Sequence, residues 1–192
     1  MGIFRKLLER RGFPTLGQLD SFIDWVVDGQ SGDSGVAVNE NTALNCTAVY
    51  AAVSILSRTL SSLPLITYRR LERGKKRARE HPLYTLLHDM PNPEMTSMAM
   101  REAMMGHLVL RGNAYANIVR DKGGRVKELW PLRPDRMKVE RDGQKLRYTY
   151  RLPDGQDRIL PADTVWHLYG MGYDGVIGYS PISLARNAVG LA

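Results

Sequence analysis

The sequence predicts an α+β fold, with helices packed on antiparallel β hairpins, and three observations lead to it. At residues 43–63, 83–88 and 98–109 apolar side chains recur every three or four positions, the helical interval. Past Gly112 the interval shortens to two, the mark of half-buried strands. The reversals in this second part carry the residues that tight turns require: DKGG at residues 121–124, Asp142 with Gly143, and PDG at residues 153–155.

The elements follow in order. Ile3, Phe4, Leu7 and Leu8 form one face of a short N-terminal helix whose other face is basic. Residues 12–40 are rich in Gly, Ser, Asp and Asn and read as an arm with one apolar anchor, Phe22, Ile23, Trp25, Val26 and Val27. Asn41 or Thr42 caps a long amphipathic helix that ends before Pro64 and turns Ala43, Ala52, Ile55, Leu56, Leu60 and Leu63 inward. Residues 65–70 (LITYRR) alternate and form a strand leading into a basic loop. Pro82 opens a short helix that runs to His88. Thr96 or Ser97 opens the next, with Met98, Met104, Met105 and Leu108 on its apolar side and Gly112 at the stop that favours left-handed backbone.

Residues 114–120 and 125–130 then make one hairpin, with Tyr115 and Trp130 as large anchors. Residues 137–140 and 145–152 make a second, which turns again toward Ile159 and Leu160. Residues 164–169 (TVWHLY) are the last strand. Residues 170–180 read as a hinge that needs positive φ at Gly172 and Gly178, and Ser180 with Pro181 caps and opens a final helix. That helical pattern continues to Ala192, so the sequence reads as a piece of a longer polypeptide. Its organisation is an arm (1–40), an α+β body (41–179) and the start of an outgoing helix (180–192).

Length and composition bound the function. A chain of 192 residues is about one domain, and such a domain buries roughly 70% of the surface its unfolded chain exposes. The single Cys46 excludes an intramolecular disulfide and reads as a small buried hydrophobe in a reducing compartment. Residues 1–12 have too short an apolar core for a secretory signal, and no apolar run approaches the roughly 18 residues of a membrane span. The expectation is a soluble, intracellular protein with no membrane partner. A net charge of +7 favours polyanionic partners.

That charge is concentrated. Residues 69–80 hold Arg69, Arg70, Arg73, Lys75, Lys76, Arg77 and Arg79 against Glu72 and Glu80 only. So dense a run is either a solvated tip or a set of phosphate contacts, and the seven cations are the candidate nucleic-acid-binding residues. Catalysis has less to stand on. His81, His88, His107 and His167 are scattered, with no zinc-ligand spacing and no nucleophile elbow. The best acid–base candidate is His167 with Asp163 or Asp174, the basis of a hydrolase reading. Gly170 and Gly172 lack the spacing of a dinucleotide fingerprint, and no P-loop is present. The reading therefore calls for no enzyme activity, no cofactor and no metal.

Three stretches, in this order and spacing, resemble the tailed-bacteriophage portal protein family: TALNCTAVYAAVSILSRTLSSLPLITYRR, then HPLYTLLHDMPNPEMTSMAMREAMMGHLVLRGNAYANIVRDKGGRVKELWPLRPDRMKV, then LPADTVWHLYGMGYDGVIGYSPISLARNAVGLA. The resemblance begins near Thr42 and implies the wing region of a portal subunit. It implies a homo-oligomeric ring, usually of twelve subunits, at one capsid vertex of the virion, assembled in the host cytoplasm. Double-stranded DNA would pass through that ring in packaging and ejection, and the packaging terminase, the capsid or scaffold protein and the head–tail connector would be its partners. The resemblance places stem, clip and crown beyond this chain. A non-specific nucleic-acid-binding module using residues 69–80 is the second reading.

Overall fold

The structure is a computed structural model that describes residues 38–143, 145–172 and 174–186. The short N-terminal helix, the apolar anchor at residues 22–27 and the end of the last helix lie outside the described residues. A 3-10 turn, Thr42–Asn45, precedes α1 (Thr47–Ser61). Next come the hairpin β1 (Tyr68–Arg70) and β2 (Lys75–Arg77), then α2 (Pro82–His88) and α3 (Ser97–Arg111). Two three-stranded antiparallel sheets follow. The first has the order β4 (Val126–Leu132), β3 (Asn113–Arg120), β8 (Val165–Tyr169). The second has the order β5 (Met137–Asp142), β6 (Lys145–Arg151), β7 (Asp157–Leu160). A last turn of helix, α4, spans Pro181–Leu184. The expected α+β class is what forms.

Strand β3 sets the layers, because successive side chains on a strand point to opposite faces. Ala114 and Ala116 are fully buried against Met100 and Met104 of α3, with Leu129 of β4 in the same cluster. Tyr115, between them, points the other way and packs with Tyr148 of β6 and Val165. Helices, first sheet and second sheet are thus stacked, with apolar packing at both junctions. Tyr115 is the buried anchor expected of it, at 4% exposure. Trp130 is only half-buried and donates its indole N–H to Glu128 Oε2 at 2.9 Å.

Local chemistry explains the ends of the elements. Thr96 Oγ1 accepts from Ala99 N at 3.2 Å to start α3, and Gly112, at φ 69°, stops it. Helix α2 is capped by His81, whose Nδ1 accepts from Leu83 N at 3.2 Å. The PNPE turn before α3 is fastened by Asn92, which donates to Leu129 O and accepts from Glu94 N and Met95 N. Arg101 joins the helices at a corner: its guanidinium donates to Ser61 O at the end of α1 (2.8 Å) and to Leu87 O near the end of α2 (3.2 Å). A cation there satisfies carbonyls that each helix leaves open.

Three expectations are corrected. The long helix from residue 42 is a 3-10 turn followed by α1, because Cys46 is extended between them; its thiol is half-buried, not a core group. Helix α1 also faces the other way. It buries Ser57 and Ser61 against α3, while Ile55, Leu56, Leu60 and Leu63 are exposed. The reason is close approach: Ser57 Oγ lies 3.7 Å from where a Cβ on Gly106 of α3 would sit, and only small residues allow such a contact. Finally, Met98 is exposed although it was read as inward, whereas Met100 and Met104 are core.

Candidate functional site

Two features have chemistry concentrated in them: a polar joint at the base of β3 and the basic hairpin. The joint is built on Asn113, the first residue of β3. Its Nδ2 donates to Gly178 O at 2.7 Å and to Arg111 O at 3.2 Å. Its Oδ1 accepts from Gly178 N at 2.9 Å and from His167 Nε2 at 3.1 Å. The amide's full hydrogen-bonding capacity is used inside the protein. One side chain ties the end of α3, strand β8 and the segment leading to α4.

The glycines of that segment are there for space. A Cβ on Gly178 would lie 2.1 Å from Gly112 O, and one on Gly172 would lie 1.9 Å from Ile177 O. Neither glycine has positive φ, so the expected hinge is corrected: the segment is fastened, with Gly170 N donating to Gly112 O and Tyr179 N to Met171 O. Asp174 takes part by accepting from Val176 N and Ile177 N through one oxygen.

His167 lies on the sheet-to-sheet side of the joint. Its ring stacks on Tyr115 with centroids 4.4 Å apart, and its Nδ1 lies 3.3 Å from Tyr148 OH. With Nε2–H donating to the Asn113 oxygen, Nδ1 is left to accept from the tyrosine, which is the neutral tautomer. Burial pushes its pKa down to about 4. Neither Asp163 nor Asp174 is among its partners, which removes the acid–base pair of the hydrolase reading. The other histidines are apart: His81 caps α2, His88 pairs with Asp89 at 2.7 Å, and His107 is half-buried on α3. No group of three potential metal ligands occurs among the described residues.

Beside the joint, Glu40 accepts from Ser183 Oγ at 3.1 Å and lies 3.9 Å from Arg111. Burial pushes its carboxyl up, but hydrogen bonds, Ser183's among them, and the Arg111 charge outweigh that and hold it below the usual carboxylate range.

The basic hairpin is as exposed as its charge requires. All seven candidate cations are exposed, and Gly74 (φ 80°) makes the turn. The register pairs Tyr68 with Arg77, Arg69 with Lys76 and Arg70 with Lys75. Opposed residues share a face, so Tyr68, Arg70, Lys75 and Arg77 lie on one side, with Lys75 Nζ 4.6 Å from the Tyr68 ring centroid. Arg69 and Lys76 lie on the other, where Arg69 meets Glu80 at 3.5 Å. Arg73 is in the turn and Arg79 lies beyond β2.

Sequence reasoning missed Asn113 and Arg101. An asparagine opening a strand directly after a helix-stopping glycine was the available signal, since asparagine is disfavoured in strands. Arg101 carried no comparable mark.

A buried polar joint that consumes its own donors and acceptors, and an exposed basic hairpin outside the core, define a structural domain with a charged appendage. The comparisons with known proteins agree. A family model described as Phage portal protein matches residues 47–192. The portal protein of Enterobacteria phage HK97 is 35% identical over 166 residues, covering 85% of this chain and 38% of that protein. The probable portal protein of Streptomyces phage phiC31 is 35% identical over 173 residues, covering 83% and 36%. Among solved structures, a chain in the neck of an empty GTA particle is similar at a TM-score of 0.63 and 27% identity, covering 74% of this chain and 38% of that one. The chain belongs to the phage portal protein family. It spans between a third and two-fifths of the length of these curated relatives.

Two outcomes follow for the joint. Replacing Asn113 with Leu strands the buried N–H and C=O of Gly178 and should lower stability in urea titration by about 3 kcal/mol. Gly178→Ala should cost at least as much, and two variants as stable as wild type would show that the segment is held elsewhere. The second outcome concerns pH. His167 has a folded pKa of about 4 against an ordinary 6.5, so between those values the unfolded chain binds the proton that the folded chain refuses. Stability should be unaffected by this group above pH 7 and fall as pH drops from 6.5 toward 4. The difference between wild type and His167→Gln should show that loss, and a difference constant with pH would contradict it.

Proposed function

We propose that this chain is the wing-like part of a portal subunit that assembles with copies of itself into a ring at the capsid vertex. Its role is structural. The ring passes double-stranded DNA in packaging and ejection, and the packaging terminase, the capsid or scaffold protein and the head–tail connector dock on it. The body at 41–179 forms the wedge and 180–192 leads outward from it. Assembly occurs in the host cytoplasm and the product is part of the virion. Family membership supports this reading, as does the sixfold symmetry with which the similar GTA neck was computed.

The observation that carries it is the outward face of α1. Ile55 is 65% exposed and Leu56 49%, on a helix that spends its serines on its own domain. A contiguous apolar face of this kind marks a protein contact. A ring supplies one, because each copy presents the same face to its neighbour's complementary surface. Negative-stain images of the purified full-length protein should show rings, and Ile55→Asp with Leu56→Asp should leave dispersed subunits. Intact rings from the double variant would refute the contact.

The basic hairpin favours a role in nucleic-acid contact, either within the ring or as an independent binding module. The register puts Arg70, Lys75 and Arg77 on one face, and about three phosphate contacts correspond to a log–log salt slope of roughly −3. Such binding is indifferent to base sequence, since phosphate contacts position and do not specify. Changing Lys75 and Arg77 to Glu should flatten the slope and leave thermal unfolding unchanged. A variant that retains the full slope would reduce the hairpin to a solvated tip.

A further inference from the structure

The first core is open on one side. An apolar groove of about 390 Å³ lies among the end of α1, α2, α3 and β8, with Leu63, Leu65, Leu87, Met105, Leu108 and Trp166 among its lining. Its walls are continuous with the main core cluster, which includes Leu87, Leu108 and Trp166 as partly buried members. Leu63 and Leu65 are exposed within it. Uncovered apolar surface of this depth next to a core marks a place where another apolar segment sits.

We infer that the groove is the seat of this chain's own residues 22–27 (FIDWVV). Three observations converge on that occupant. The first is where the described chain begins. Val38 is buried with Ala43 and Ile182 and packs beside Leu110 of α3, two positions along the same helix from Leu108 in the groove. Two helical positions are about 3 Å along the axis but roughly 200° around it, so Val38 and the groove lie on different sides of a helix about 10–12 Å across. The eleven residues from Val27 to Val38 span up to roughly 36 Å when extended, long enough to pass around α3 to the groove.

The second is composition. Residues 12–37 contain one apolar cluster large enough to fill such a groove, at Phe22, Ile23, Trp25, Val26 and Val27. The third is charge. The same residues 12–37 carry Asp20, Asp24, Asp28 and Asp33 and no Lys or Arg. Arg101 is the charged residue in the groove's lining, and in the chain the basic hairpin follows groove-lining Leu65 and precedes α2, which supplies Leu86 and Leu87. A tethered segment also competes from an effective concentration in the millimolar range, which a second copy does not match in dilute solution.

The test uses the full chain with Cys46→Ala, Val26→Cys and Met105→Cys, treated with a short bismaleimide at low protein concentration. The expected product is a cross-link within one chain that runs as a monomer and is confirmed by mass spectrometry of the joined peptides. A second pair, Val26→Cys with Arg147→Cys on the second sheet, should not react. Links formed only between two chains would overturn the inference in favour of a swapped arm or a second copy, and no link at all would leave the groove to some other partner and equally overturn it. An independent readout needs no cysteine pair: Phe22→Asp with Val26→Asp alters no residue of the described core and should raise the rate of Met105 oxidation by hydrogen peroxide several-fold. Oxidation at the wild-type rate would overturn the docking. Neither readout depends on ring assembly or DNA binding, so the outcome is separate from that of the portal reading.

Discussion

The side chain of Asn113 makes four hydrogen bonds to groups from three separate parts of the chain, and the placement of the body's layers follows from them. The end of α3, strand β8 and the glycine segment before α4 converge on that amide. Each contact is short because the neighbouring glycines have no side chain to hold the backbones apart. A buried polar cluster of this kind is stabilising only when complete, since one missing partner leaves the others desolvated and unpaired. The joint therefore specifies one arrangement of helix, sheet and outgoing segment.

From that joint β3 runs outward with alanines toward the helices and Tyr115 toward the second sheet. The alanines let α3 lie close against the first sheet, and the tyrosine bridges the wider gap between sheets. The hairpin of residues 68–77 and the outer face of α1 take no part in either layer. They are surfaces that the domain's own packing leaves exposed.

What could be read from the sequence was what acts locally. The turns at residues 121–124, 142–143 and 153–155, the cap at Thr96 and the stop at Gly112 formed where their chemistry placed them, because each depends on neighbours a few residues away. The orientation of α1 was not legible. Periodicity reports that a helix has an apolar stripe, not which partner covers it, and here the helix meets its own domain through Ser57 and Ser61. Asn113 escaped notice for a related reason: Gly178 lies 65 residues away. Reading residues 170–180 as a hinge treated glycine as a source of freedom, where its use at Gly172 and Gly178 is to let two backbones touch. The basic residues at 69–79 were visible as a run, but only strand register divides them into two faces.

The two polar fastenings of the body differ in one respect. Arg101, which holds the ends of α1 and α2, keeps its charge even though burial lowers its pKa, because a guanidinium does not give up its proton within the range in which proteins stay folded. His167, between the sheets, is held by burial in its uncharged form near neutral pH and meets a cost when it is protonated. The stack therefore has a weak seam and a strong one. Acid weakens the contact between the two sheets, where burial disfavours a charged His167, and leaves the charge at the helical corner unchanged.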